Sequence, residues 1–342
     1  MTAGSLRSFV QEIMLALGTP PEAAALMADS LVAASLRGVD SHGLQLLPFY
    51  VAQIEDGRVD VRAKGKVALE AGALLSYDGE NSLGQVVAKE CCGHAVRIAR
   101  DHGLGLVTAR DSNHFGAAAY WAQQISDEGM IGVLLCNASP IVAPWQGREP
   151  RWGTNPICVS VPGGGWLLDM ATTTVAMGRI YKAGINREPE IPPGWAMDSD
   201  GSPTTSTEAA LQGLLMPLGG YKGSGLAMMV EILTGVLSGG AISTELGGLR
   251  VKGRPFGVSQ FFLAIDAERL MPREQWEARV GQLIAMAKSS APAKGWSEVL
   301  VAGEPEWRNA QERNTGGIPV SDGLWEQLTG IAARLGVPVP TR

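Results

Sequence analysis

The chain holds four histidines, His42, His94, His102 and His114, and imidazole is the side chain whose ordinary pKa lies nearest neutrality. His42 in "DSHG" and His114 in "SNHFG" each follow a polar turn at the boundary between two elements. Boundary loops on a rigid scaffold are where catalytic groups concentrate. An imidazole there can give a proton to a carbonyl oxygen during reduction, or take one from an alcohol during oxidation. Ser41 stands next to His42 and could orient it by a hydrogen bond. His94 and His102 lie in or just after one helix and read as surface residues. For each of His42 and His114 taken singly, a structural role is the more common reading, ahead of a catalytic one. No G-x-S-x-G elbow is present to expose a serine nucleophile, so hydrolysis is not favoured.

The residues after His114 are Phe115, Gly116 and the alanines Ala117, Ala118 and Ala119. Such small side chains let something large approach, either another helix or a bound molecule. Known phosphate-binding patterns fail nearby. "GLGLVTA", Gly103 to Ala109, leads from a helix into a strand, the reverse of the order a dinucleotide fingerprint needs. "GGYKGSG", Gly219 to Gly225, resembles a P-loop, but Gly223 separates Lys222 from Ser224 and the preceding "LLMPL" is a poor strand. Phosphoryl transfer is therefore not indicated. The physics of that segment survives the failed pattern: free backbone N–H groups and positive dipole at a helix start, with Lys222 as a movable cation, suit a pyrophosphate or a carboxylate. A tight turn for close helix packing explains it equally well.

Four cysteines occur, Cys91, Cys92, Cys136 and Cys158, with no C-x-x-C spacing. Cys91, Cys92 and His94 cluster on one helix and read as packing, so no metal site is expected.

These groups need elements to hold them. The first 56 residues read as helical. "MTAGSLRSFVQEIMLALG" places Leu6, Phe9, Val10, Ile13 and Leu17 on one face. "TPPEAAALMADSLVAASLRG" carries prolines at its start and Gly38 at its end, and "LLPFYVAQIEDG" follows. "VALEAG" and "ALLSYDG" read as short strands joined at a glycine. Then "LGQVVAKECCGHAVRIARDHG" and "FGAAAYWAQQISDEG" read as helices around the apolar strands "LGLVTA" and "MIGVLLCNAS". "NPICVSVPG" and "GWLLDMA" suit a hairpin. Residues 186–218 are rich in Pro, Gly, Ser and Thr and read as a long irregular excursion. "GLAMMVEILTGVLSGG" is an apolar helix, "VSQFFLAID" a strand, and "PREQWEARVGQLIAMAKSS" and "SDGLWEQLTGIAARLG" are helices. Mixed hairpin-like and helix-separated strands predict an α/β chain of the α+β type, with a sheet that is not purely parallel.

Composition bounds the rest. The chain has 342 residues, 45% hydrophobic and 18% charged, with a formal net charge of −6, which is an ordinary globular composition. A mildly acidic chain without a basic run suits neither nucleic acid nor a membrane surface. No apolar run reaches the roughly 18 residues of a membrane span. The start lacks the features of a signal peptide, so a cytoplasmic location is expected.

Seven segments, in order, then line up with one family: "SHGLQLLPFYV", "DGENSLGQVVA", "ARDSNHFGAAAYWA", "GTNPICVSVP", "LLDMATTTVAMGRI", "PLGGYKGSGLAMMVEILTGVLSG" and "VAGEPEW". Together they resemble the malate/L-lactate dehydrogenases that lack a Rossmann fold. Their relatives include ureidoglycolate, sulfolactate and diketogulonate oxidoreductases and cyclic ketimine reductases. The resemblance spans about residues 5 to 335. It implies an NAD- or NADP-dependent homodimer acting on a small molecule, with a largely antiparallel sheet in its cofactor domain. The organisation it suggests is a helical part over 1–58, a second domain over 59–133 with 300–342, and a cofactor domain over 134–299. By similarity, His42 is a proton donor or acceptor assisted by Ser41, and His114 is the other candidate for that role. His114, Phe115, Gly116 and Ala117 resemble a cofactor contact, as do Asp169, Met170, Ala171 and Thr172, Lys222 and Gly223, and Gly303 and Glu304. Thr154 and Asn155 resemble polar groups near the substrate.

The chain also departs from that pattern. Many relatives carry an arginine four residues after the S-H-G histidine, able to grip a substrate carboxylate. Leu46 stands here, with Gln45 beside it, and a leucine does not replace a bidentate guanidinium. Relatives acting on cyclic imines carry an aspartate near "GRI"; this chain has Arg179, a possible anion contact. The expected reaction is hydride transfer between nicotinamide and a small 2-hydroxy or 2-oxo acid. A cyclic ketimine reductase and a non-catalytic nucleotide-binding protein on the same fold are the alternatives.

Overall fold

A computed structural model describes residues 1–248 and 254–342. Three helices open the chain: α1 (Ala3–Ala16), α2 (Pro21–Leu36) and α3 (Leu47–Glu55). Helix α1 is capped by Thr2 and buries Leu6, Phe9, Val10, Ile13 and Met14, each contributing roughly 1.5–3 kcal/mol by leaving water. The strands β1 (Lys66–Ala71) and β2 (Leu74–Asp78) form the expected hairpin, turning at Gly72 with φ 58°. Helix α4 (Gly84–His102) ends at Gly103, which takes the left-handed conformation at φ 84°. Next come β3 (Leu104–Ser112), α5 (Ala118–Asp127), β4 (Ile131–Cys136) and the hairpin of β5 (Ile157–Ser160) with β6 (Leu167–Met170).

Then follow α6 (Met177–Ile185), β7 (Ala196–Met197), β8 (Pro203–Thr204), α7 (Thr207–Gln212) and β9 (Leu214–Leu215). Helix α8 (Tyr221–Glu231) continues into a π-helical turn, Ile232–Val236. The chain closes with β10 (Val258–Ile265), α9 (Arg273–Lys288), α10 (Glu304–Gly316) and α11 (Asp322–Leu335), the last capped by Ser321.

Seven strands make one sheet in the order β1-β2-β3-β10-β4-β5-β6. Every pairing is antiparallel except β2 with β3, because α4 crosses over between those two strands as a βαβ unit demands. Helices α4 and α5 cover one face, burying Val87, Cys91, Ala95, Trp121 and Ile125 over Val107, Leu134 and Phe262. Cys91 and Cys92 are packing residues there, and no metal-binding group of His, Cys, Asp or Glu occurs among the described residues.

The expected division at 133/134 lies within β4. Of residues 300–342, Ile318, Val320, Leu328 and Ile331 pack in the core of α1, α2 and α3, and Trp307 packs against the core under the sheet. One sequence expectation needs correction. Residues 186–218 are not an irregular excursion. They hold the three-stranded sheet β8-β7-β9 and α7, around Val142, Ile180, Ala196, Ala210 and Leu215. Strands of two residues are too short to show a period of two.

Candidate active site

His42 ends a single 3-10 turn, Asp40–His42, directly after α2. Gly43 makes that turn possible, since a Cβ there would lie 2.1 Å from Ser35 Oγ. The Ser35 hydroxyl accepts from the Leu44 amide at 3.0 Å. Arg313 of α10 clamps the turn from outside, donating to Asp40 Oδ1 at 2.6 Å and to the Ser35 carbonyl. Ser41 Oγ lies 3.0 Å from His42 Nδ1.

His114 arrives from the other side, between β3 and α5. Asn113 donates to the Ser82 carbonyl at 2.8 Å and to Asn81 Oδ1 at 3.1 Å. Gly84, at the start of α4, lets that helix sit against this backbone: a Cβ there would be 2.2 Å from the Asn113 carbonyl oxygen and 2.4 Å from that of His114. Trp121 Nε1 donates to the Phe115 carbonyl at 2.7 Å. The two imidazoles end up stacked, centroids 5.8 Å apart and planes inclined by 23°. Residues 72 positions apart in the sequence thus share one site.

His114 Nδ1 lies 2.7 Å from Tyr50 Oη on α3 and accepts from the Gly116 amide at 3.2 Å. Burial, helped by the neighbouring His42, pulls the His114 pKa down to about 3. Burial also lowers the His42 pKa, with Asp169 pulling the other way. The Asp169 carboxylate, on the edge strand β6, accepts from the Ala119 amide at 2.9 Å, in the first turn of α5. Desolvation raises its pKa, while that amide, His42 and Arg37 act to hold it ionised. Arg37, past the end of α2, faces Asp169 and Glu306, and its buried Nε and Nη2 close no hydrogen bond. Sequence reasoning missed both Tyr50 and Arg37, because their partners lie 64 and 132 positions away and no local pattern announces them.

The remaining predicted residues fall around this pair in different ways. Gly116 sits at φ 79°, and a Cβ on it would meet only the His42 carbonyl oxygen, at 3.9 Å. Phe115, Ala118 and Ala119 are packed in the core under α4 and α5, and Ala117 is buried. Met170 and Ala171 follow Asp169 half-buried. Thr172 is tied by its amide and its hydroxyl to the Thr154 carbonyl, both at 2.9 Å. The Thr172 carbonyl accepts from Leu218 at 3.0 Å, and Gly223 packs on the same oxygen. This stitches the 169–172 stretch to the start of α8. Lys222 is exposed there and forms no ion pair among the described residues.

Asn155 is fully buried at φ 36°, its amide spent on the Ala227 carbonyl, Glu231 and the Ala138 amide. Thr154, next to it, is half-buried. Gly303 takes φ 88° at the start of α10 and packs on Leu167. Glu304 pairs with Lys288 at 2.6 Å and Arg308 at 2.6 Å, and hydrogen bonding from Lys288 draws its pKa down to about 2. Gln45 is exposed, whereas Leu46 packs against the core of the N-terminal helices. Arg179 is exposed on α6, one residue beyond Gly178, where a Cβ would lie 3.0 Å from Ser41 Cβ.

Comparison with known proteins finds relatives along nearly the whole chain. The family model described as malate/L-lactate dehydrogenase matches residues 1–329. A malate dehydrogenase of Pyrococcus horikoshii is 40% identical, over 97% of this chain and 94% of its own. An L-sulfolactate dehydrogenase of Methanocaldococcus jannaschii is 35% identical, over 97% of this chain and 96% of its own. The solved structure of malate dehydrogenase from Pyrococcus horikoshii OT3 superposes with a TM-score of 0.91 at 37% identity, covering 99% of this chain and 96% of that one. A mostly antiparallel sheet, a paired-imidazole site and similarity along nearly the whole length converge, and the chain belongs to the malate/L-lactate dehydrogenase family of oxidoreductases.

Proposed function

We propose that this protein moves a hydride between a nicotinamide cofactor and the carbinol carbon of a small 2-hydroxy acid, or the carbonyl carbon of the matching 2-oxo acid. His42 exchanges the oxygen-bound proton. The observation that carries this reading is the pair of stacked imidazoles with the Asp169 carboxylate acting on His42.

Family membership implies a nicotinamide cofactor, and the residues present fit one. Space is open beyond Gly116, and nothing lies within 4 Å of a Cβ built on Gly225. Lys222 offers a cation at the N-terminal end of α8, where a pyrophosphate is favoured. His114, Gly116, Ala117, the Asp169–Thr172 stretch, Lys222, Gly223, Gly303 and Glu304 would hold it. Bound there, nicotinamide supplies or accepts the hydride, and either NAD or NADP satisfies the reading.

Oxidation of an alcohol needs a base that is neutral at the outset. Burial supplies it by lowering the His42 pKa, and the Asp169 charge stabilises the imidazolium once the proton arrives. Ser41 engages Nδ1 and leaves Nε2 to face the substrate. With Leu46 turned into the helical core, the substrate carboxylate falls to Arg179, with Gln45 and Thr154 as polar neighbours. The chain works as a homodimer. Tyr221, Met228, Ile232 and Val236 leave a large apolar area exposed at helical spacing on α8 and its π turn. Four free buried thiols suit a reducing compartment, the cytoplasm.

The test is an absorbance screen at the reduced-nicotinamide band, with both cofactors and a panel of 2-oxo acids and cyclic imines. Turnover of a 2-oxo acid is expected. Reduction of pyrroline-2-carboxylate alone would move the chain to the ketimine reductases, and cofactor binding without turnover would make it a binding protein.

A further inference from the structure

We propose that Glu231 is a positioning residue: a buried carboxylate at the end of α8 that sets the Thr154–Asn155 backbone and, through it, the Asp169–Thr172 wall of the cofactor site. This deepens the dehydrogenase reading and rests on it for what that wall holds, but the bonding stands by itself. No step of the hydride transfer calls for a carboxylate at this place.

Glu231 is 4% exposed and stands just before the π turn. Its Oε1 accepts from Asn155 Nδ2 at 3.0 Å, and its Oε2 accepts from Asn137 Nδ2 at 3.3 Å and from the Ser243 amide at 3.3 Å. A side-chain amide can be turned end for end, so the direction of such a bond needs a second witness. Backbone groups supply it twice. Asn155 Oδ1 accepts from the Ala138 amide at 3.0 Å, and its Nδ2 also donates to the Ala227 carbonyl at 2.9 Å. Asn137 Oδ1 accepts from the Ser259 amide at 2.7 Å, and its Nδ2 donates to the Ala241 carbonyl at 3.0 Å. Both asparagines therefore turn N–H groups toward Glu231, and the Ser243 backbone can only donate. Donors meet both oxygens of the side chain. A carboxylate satisfies all three, whereas a glutamine, with a single oxygen, leaves one N–H facing its own NH2 group. Desolvation pushes Glu231 toward its neutral form, and these same donors act against it.

The reach of that bonding comes from Asn155. It stands at φ 36°, a conformation that a residue other than glycine keeps only where its surroundings impose it. Its side chain is tied at both ends, to Ala138 on one side and to Ala227 and Glu231 on the other. The peptide unit before it carries the Thr154 carbonyl, which accepts from the Thr172 amide and from the Thr172 hydroxyl, both at 2.9 Å. The Thr172 carbonyl in turn accepts from the Leu218 amide at 3.0 Å. One peptide unit and a run of hydrogen bonds thus join Glu231 to the stretch that follows Asp169. The π turn keeps the carboxylate close to its partners. A Cβ on Gly235, one position short of Val236, would lie 2.6 Å from the Ala241 carbonyl oxygen and 3.1 Å from Asn137 Nδ2.

The experiment compares the full chain with Glu231→Gln by amide hydrogen exchange without cofactor, read by mass spectrometry on peptides covering 167–175 and α4. In the variant the 167–175 peptide should exchange about tenfold faster while α4 exchanges as in the parent. Fluorescence titration should show nicotinamide Kd rising about tenfold, with kcat at saturating cofactor changed by less than about twofold. If Glu231→Gln does not fold, Asn155→Gly carries the test. Glycine accepts φ 36° and removes the same tie, so the same two changes are expected. Unaltered exchange at 167–175 overturns the proposal, as does an unaltered Kd in a protein whose parent binds nicotinamide. Equal loosening of both peptides also overturns it, since Glu231 would then be a general stabiliser. If the parent binds neither NAD nor NADP, the dehydrogenase reading fails while the exchange comparison still decides whether Glu231 holds the wall.

Discussion

At the scale of single residues, two rings of the same type stack together in different surroundings. His42 is backed by Ser41 and Asp169, so it can cycle between neutral and charged forms. His42→Asn should cost roughly 10²–10⁴ in kcat while leaving nicotinamide Kd nearly unchanged, as steady-state kinetics and fluorescence titration will measure. Wild-type turnover in that variant would remove His42 from the mechanism. The pH dependence of oxidation follows from the same shift. Because burial lowers the His42 pKa, the acid limb of kcat/KM should fall below the ordinary imidazole value of about 6.5. His114 bears on stability. Its folded pKa is about 3, whereas the unfolded chain takes up that proton near 6.5. The unfolded state therefore binds more protons between those values, and stability falls as pH drops through that window. Denaturant unfolding of His114→Gln should show a flatter decline over that range than the parent does. Both histidines were legible in the sequence, because short polar turns flagged them. Their stacking was not, because it depends on how α2 meets β3.

At the scale of elements, precision comes from close approaches that only glycine permits. Gly84 and Gly93 share α4 but differ in surroundings: a Cβ at Gly84 runs into the His114 backbone, while nothing lies within 4 Å of one at Gly93. Gly84→Ala should destabilise by roughly 1–3 kcal/mol and lower kcat by displacing His114. Gly93→Ala should be neutral or stabilise by up to about 1 kcal/mol. Chemical unfolding of both variants separates the two, and equal effects would show that the approach of α4 does not set the site. The helices and the two hairpins could be read from periodicity and turn residues. The insertion of β10 between β3 and β4 could not, since Gln260 pairs with Ala109 and Cys136 across more than a hundred residues. The small sheet of β7, β8 and β9 also escaped, its strands being too short to carry a pattern.

At the scale of the whole molecule, the exposed row of Met228, Ile232 and Val236, each about half accessible, has four-residue spacing and no cover among the described residues. If this row is the interface of the proposed homodimer, Ile232→Glu with Val236→Glu should sediment as a monomer where the parent sediments as a dimer; a parent that is itself monomeric, or a variant that stays dimeric, would overturn that assignment. No helix among the described residues is long and apolar enough to cross a membrane. The bond between Arg313 and Asp40 joins nearly opposite ends of the polypeptide at the turn that carries His42. A growing polypeptide can fold its first helices early, but the turn under His42 stays unbraced until α10 has emerged and docked. Fragments that stop short of α10 should therefore be silent in the absorbance assay even where they are folded.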